Sequence, residues 1–209
     1  MMCIFERDWS GDGMSIFERH YSTAEVAELS GIGVPTLHSH MKRGLILGHR
    51  AEGEVTGGGK RGKPRLLTWF NLIEVAMAAE IMRTTNGGEP KAAFDAAMHF
   101  AHVGAGPSGW VGDDDVSLGG NRRHPSLPFP LEDGITIFAV GDNGRTRTIA
   151  LPTDGGDSAF AVHANLRHAL QTRSYLWIDA TSVFIRVTRA LGVEPGHLLR
   201  DAYQKANDR

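Results

Sequence analysis

The chain has 209 residues, 41% of them hydrophobic, and a formal charge of −2 from 22 Lys and Arg against 24 Asp and Glu, so it can bury a core in one or two domains and is not disordered throughout. No apolar run approaches the roughly 20 residues of a membrane-spanning helix, and the N-terminus lacks the basic and apolar regions of a signal peptide, so the expected compartment is the cytoplasm. A single cysteine, Cys3, excludes an intrachain disulfide and any multi-cysteine zinc site.

Residues 1–18 read as a tail in which "IFER" occurs at Ile4 and again at Ile16, with Met14 as an alternative start. From Tyr21 the pattern becomes helical. Ser22 with Glu25 three residues later makes a capping-box pair, and Val26 and Leu29 mark the inward face of a short helix. Gly31 supplies a turn, Pro35 opens a second helix with Leu37 and Met41 inward, and Gly44 ends it. Residues 48–69, "GHRAEGEVTGGGKRGKPRLLTW", read as two short strands joined by a glycine-rich basic tip, a hairpin or wing. Thr68 caps a helix apolar around most of its circumference, which must be covered on more than one side. A further helix from Pro90 to about Val103 turns Phe94, Ala97, Met98 and Ala101 to one face and Lys91, Asp95, His99 and His102 to the other.

Six glycines and four prolines then interrupt residues 104–130, which read as a flexible linker. Beyond it, "ITIFAV", the turn "GDNG" and "RTRTIAL" predict a β-hairpin, and Ser158 to Thr172 predicts a helix. "SYLWI" predicts a strand. Asp179 caps a helix carrying Val183, Phe184, Val187 and Leu191, and Pro195 opens a last helix to about Tyr203. The expected fold class is therefore α+β: an N-terminal domain at 19–103, the linker, and a small α+β domain at 131–209.

Two short helices at a steep angle let the second project its outer face, here Thr36, His38, Ser39, His40, Lys42 and Arg43, toward a major groove. Hydroxyls, imidazoles and cations donate to phosphates and base edges, whereas an acid would repel them, and no Asp or Glu lies between Ser30 and Leu47. From His38 to Arg65, seven cations (Lys42, Arg43, Arg50, Lys60, Arg61, Lys63, Arg65) stand against Glu52 and Glu54, so an acidic chain carries a stretch of charge +5, seven minus two.

These residues, "YSTAEVAELSGIGVPTLHSHMKRGLI", resemble the N-terminal winged helix-turn-helix of MerR-type transcription regulators and their relatives among phage excisionases. The likeness covers about residues 20–103. It lies in the alanine-bearing first helix, Gly31, the Val34–x–Thr36–Leu37 start of the second helix, Gly44–Leu45 before the wing, and Arg65 with Thr68 closing it. The resemblance implies recognition-helix contacts from Thr36, His38 and His40 and phosphate contacts from Arg50 and Arg65. Three features depart from the family. His38 stands where it usually has arginine, and Ser39 and His40 where it usually has aromatics. The wing is long and glycine-rich, and no long heptad helix for dimerisation follows Val103.

Other constellations read blandly. Gly57, Gly62 and Lys63 match most of a phosphate-binding loop, but Pro64 replaces its Ser or Thr, so Lys60, Arg61 and Lys63 read instead as a wing tip meeting phosphates or a minor groove. Asp95, His99 and His102 share a helical face with Lys91 and read as solvated; no metal, cofactor or catalytic group is assigned. The expectation is a non-enzymatic, nucleoid-associated bacterial transcription regulator that binds double-stranded DNA. The C-terminal hairpin and the helix from Asp179 to Leu191 are expected to serve self-association or a partner such as RNA polymerase or a second DNA-binding protein. An excisionase-like DNA-bending factor of a phage or mobile element and an antitoxin-like partner-binding module are the alternatives.

Overall fold

The computed structural model describes residues 16–47, 65–103, 122–153 and 159–207, with side chains at 162–204 in the last of these. Among them the architecture is mixed α/β, with seven helices and two small antiparallel sheets, compatible with the expected α+β class.

The first sheet pairs β1 (Tyr21–Ser22) with β2 (Leu66–Leu67), Tyr21 opposite Leu67 and Ser22 opposite Leu66. Ser22 also starts α1 (Thr23–Ser30). Its hydroxyl accepts from the Glu25 amide and its own amide donates to the Glu25 carboxylate, so the expected capping box is complete. Gly31 follows at φ 74°, a left-handed conformation that a side chain would strain. Helix α2 (Val34–Lys42) begins one residue before Pro35, and Gly44 at φ 65° stops it.

Helix α3 (Trp69–Thr84) is capped by Thr68 with Asn71, and α4 (Pro90–His102) lies along it. Eleven of the sixteen α3 residues are buried, as a helix apolar on all sides requires. Its covering comes from three directions: the α1–α2 pair, α4, and the C-terminal elements. No helix of the described residues is long and apolar enough to cross a membrane.

The second sheet has the order β4–β3–β5, with β3 (Ile135–Gly141) central, β4 (Thr146–Leu151) on one side and β5 (Tyr175–Asp179) on the other. Helix α5 (Ala159–Leu170) buries Leu166 and Leu170 against Ala139 on one face. Helices α6 (Ala180–Ala190) and α7 (Pro195–Asn207) close the chain. The Asp179 carboxylate accepts from the Ser182 amide at 2.8 Å and so caps α6 as expected.

The buried residues of the N-terminal helices and of the β3–β5–α6–α7 region form one continuous cluster. Trp69 of α3 meets Phe184 of α6 edge to face at 6.1 Å, Phe100 of α4 meets Phe138 of β3 at 5.5 Å, and Arg186 of α6 reaches Glu80 at 3.5 Å and the Leu29 carbonyl at 3.3 Å.

Three expectations need correction. Residues 16–18 are not tail: Ile16 is buried, its carbonyl accepts from the Tyr21 hydroxyl at 2.9 Å, and Phe17 stacks edge-on against Trp69. Residues 122–130 are not linker either, although 104–121 lie outside the described residues. Arg123 is 1% exposed, lies over the Phe100 ring, and donates to the Phe100 and Val103 carbonyls at the open C-terminal end of α4. Ser126 accepts from the Trp69 indole at 2.7 Å, and Tyr203 donates to the Pro128 carbonyl at 2.8 Å, so the segment joins α3, α4 and α7. Finally, α6 turns Val183, Phe184 and Val187 into the shared core, which leaves that apolar face no room for a partner.

Candidate nucleic-acid interface

Helix α2 is attached by a narrow apolar seam. Leu37 and Met41, four residues apart, are buried, and Leu45 and Ile46 continue the seam beyond the helix end. Apart from His40, the rest of the helix faces outward: Val34, Pro35, Thr36, His38, Ser39 and Lys42 are exposed, as is Arg43 just beyond. None of the ion pairs among the described residues uses Lys42 or Arg43, so both cations remain available. The helix starts at Gly33 without a side-chain cap, which leaves its first amides open to an anion.

His40 is the correction within the expected site. It is 5% exposed and stacks on Phe94 of α4 at 5.0 Å, with neither ring nitrogen hydrogen-bonded, so it belongs to the seam and not to the outer face. Burial, with a smaller effect from the Arg43 charge, pushes its pKa below the ordinary 6.5, so the ring is held neutral. Helical periodicity explains the miss. His40 lies three residues after Leu37, on the face that Leu37 and Met41 bury, and polarity alone assigned it outward.

Val34 is the outward residue that polarity could not find. At 38% exposure it stands at the start of α2 beside Thr36, an apolar side chain on the outward face. Its signal in the sequence is only position, one residue before the helix-opening proline.

Behind α2 the chain turns toward residues 48–64, which lie outside the described residues together with the expected contacts Arg50, Lys60, Arg61 and Lys63. The two ends of that segment are nevertheless described. On the far side Arg65 is half-buried and leads directly into β2. On the near side the Leu47 peptide is clamped by α3. Its amide donates to both oxygens of Glu74 at 3.0 and 3.2 Å, and its carbonyl accepts from Asn71 Nδ2 at 3.0 Å. Glu74 is fully buried and also accepts from His102 Nε2 at 2.9 Å, so the last residue of α4 completes the clamp.

The clamp bears on the Asp95, His99 and His102 face as well. His102 is directed to Glu74 and Asp95 pairs with Lys91, so the three do not converge. Among the described residues no group of three or more His, Cys, Asp or Glu is placed to hold a metal ion.

The arrangement presents two cations, two hydroxyls and one imidazole on a projecting helix, with no acid from Gly31 to Leu47. The residue types on this surface are chemically suited to a polyanion, with donors and acceptors of the kind that pair with base edges. Comparison of the chain with models of known protein families and with curated protein sequences gives no match.

Proposed function

We propose that this chain is a sequence-specific DNA-binding transcription regulator of the MerR-like winged helix-turn-helix type. Helix α2 is its recognition helix, and residues 48–65 form its wing. The observation that carries the reading is the division of α2: Leu37, His40 and Met41 buried, and Thr36, His38, Ser39 and Lys42 with Arg43 exposed and free of ion pairs among the described residues. A helix held by one narrow seam can enter a major groove without losing its support.

In this reading Lys42 and Arg43 meet phosphates, while Val34, Thr36, His38 and Ser39 face base edges. The pairing of β1 with β2 and the Glu74–Asn71 clamp on Leu47 fix the described residues on either side of 48–64, which supports reading the segment between them as a wing. One such module reads few base pairs, so useful specificity requires a second copy or a second protein beside it.

The test is genome-wide occupancy of the tagged chain beside a Lys42→Ala/Arg43→Ala double variant. Sharp promoter peaks lost in the variant are the expected result. Occupancy that is absent, or diffuse and unchanged by the variant, overturns the reading.

A further inference from the structure

The second sheet ends on β5, whose outer edge pairs with no described strand. Its two edges differ in chemistry. On the far side, β4 carries Arg147 between two threonines, the kind of charged edge that discourages further pairing. Strand β5, "YLWID", carries no charge before its last residue, and Trp177 in its middle is 53% exposed. Beside Trp177 lies a hollow of 430 Å³ lined by His163, Arg173, Ser174 and Tyr175, where the His163 Nδ1 is hydrogen-bonded to the Tyr175 hydroxyl at 2.8 Å. An exposed indole next to an open hollow on an unpaired strand is a knob and a socket on one surface.

We infer that β5 pairs antiparallel with β5 of a second copy of this chain, joining two three-stranded sheets across a two-fold axis. A two-fold interface requires the patch to complement itself, each residue meeting its counterpart's neighbour in both directions. Setting Leu176 opposite its own copy brings residues equidistant from it into register: Tyr175 faces the partner's Trp177, and Arg173 faces the partner's Asp179. Each pair forms twice. Tyr175, Trp177 and Asp179 alternate to the same face of β5, and Arg173 lies two residues before the strand, where the partner's Asp179 arrives if the pairing continues.

The charges fit this register. Arg173 is exposed; the Asp142 carboxyl is held below its ordinary pKa chiefly by hydrogen bonds from Thr172 and Ser174, with the Arg173 charge a smaller contributor. At the other end Asp179 is fixed by Ser182, whose amide and hydroxyl donate to its two oxygens at 2.8 and 2.7 Å. The partner's Trp177 then fills the hollow against Tyr175 and His163. A five-residue edge buries less than the roughly 1,200–2,000 Å² of a standard interface, so the dimer dissociates measurably on dilution. It deepens the proposed function by supplying the second reading module, but its evidence lies in β5 alone.

The test is sedimentation of the full chain without DNA over a dilution series. The expected mass rises from one copy to two with concentration. Trp177→Glu holds it at one copy with an unchanged far-ultraviolet spectrum, since the side chain replaced is exposed. Trp177→Phe keeps the dimer. Arg173→Glu weakens it by about tenfold or more, because two attractive cross-strand pairs become repulsive. A chain that stays monomeric throughout, or one whose dimer survives Trp177→Glu and Arg173→Glu unchanged, overturns the inference. A dimer that behaves as expected in a chain that binds no DNA leaves this interface standing and removes only the DNA reading.

Discussion

Helices α2 and α6 are of similar length, nine and eleven residues, and both present cations, yet the fold uses them oppositely. In α6 the apolar face carries Phe184 into the shared core, and Arg186 is held by Glu80 and the Leu29 carbonyl. In α2 the buried seam is three residues wide, and Lys42 has no ion-pair partner among the described residues. A cation bound within the fold supports the fold, whereas a cation left in water on a narrowly attached helix suits a partner's charge. The contrast separates residues whose loss costs stability from residues whose loss should cost the proposed binding.

The largest expected effect lies on the α6 side. Phe184→Ala removes the ring packed against Trp69 and destabilises the chain by about 3–5 kcal/mol, read as a shift of the urea midpoint. Because the core is continuous, unfolding should remain a single transition by tryptophan fluorescence and circular dichroism. Two separated transitions would show that the N- and C-terminal parts unfold independently.

Glu74→Ala comes next, since it leaves the Leu47 amide without its acceptor. The expected loss is about 1–3 kcal/mol of stability and, on the proposed DNA-binding reading, weaker DNA binding through a displaced Leu47. DNA affinity that holds while stability falls would confine the clamp to a structural role.

Lys42→Ala and Arg43→Ala should change stability by no more than about 0.5 kcal/mol. Each should lower the slope of log affinity against log salt by about 0.9 if it meets a phosphate. A salt titration with an unchanged slope would remove that residue from the interface.

The smallest effect belongs to His40. Its folded pKa lies below its unfolded value, so the unfolded chain takes up the proton more readily. Stability is then fully present above about pH 6.5 and declines as the pH falls toward the folded value. His124, lowered by burial and by Arg123, acts with the same sign, so His40→Phe should remove only part of the acid sensitivity. A pH profile of stability that His40→Phe leaves unaltered below pH 6.5 would show that the ring is not held neutral.

Most helices and both strands of the hairpin were legible from local chemistry. Ser22 with Glu25, Thr68, Asp179, Gly31 and Pro195 act within a turn of their own position, and each does what its type predicts. Where the reading failed, distant residues decided. Strand β1 is two residues long and exists only because Leu66–Leu67 lies beside it. The buried wall of α4 includes Phe100, which the assigned face omitted, because the C-terminal sheet covers that side through Phe138.

The sequence by itself determined where most helices start, and that α2 lies in a segment free of acids from Gly31 to Leu47, because caps, turns and charge are local properties. Tertiary structure alone decided that His40 faces inward, that Arg123 leaves water to close the end of α4, that Glu74 holds the root of residues 48–64, and that Trp177 stays exposed on an open edge. Burial depends on what arrives from elsewhere in the chain, and neither the polarity of a side chain nor its spacing records which neighbour will cover it.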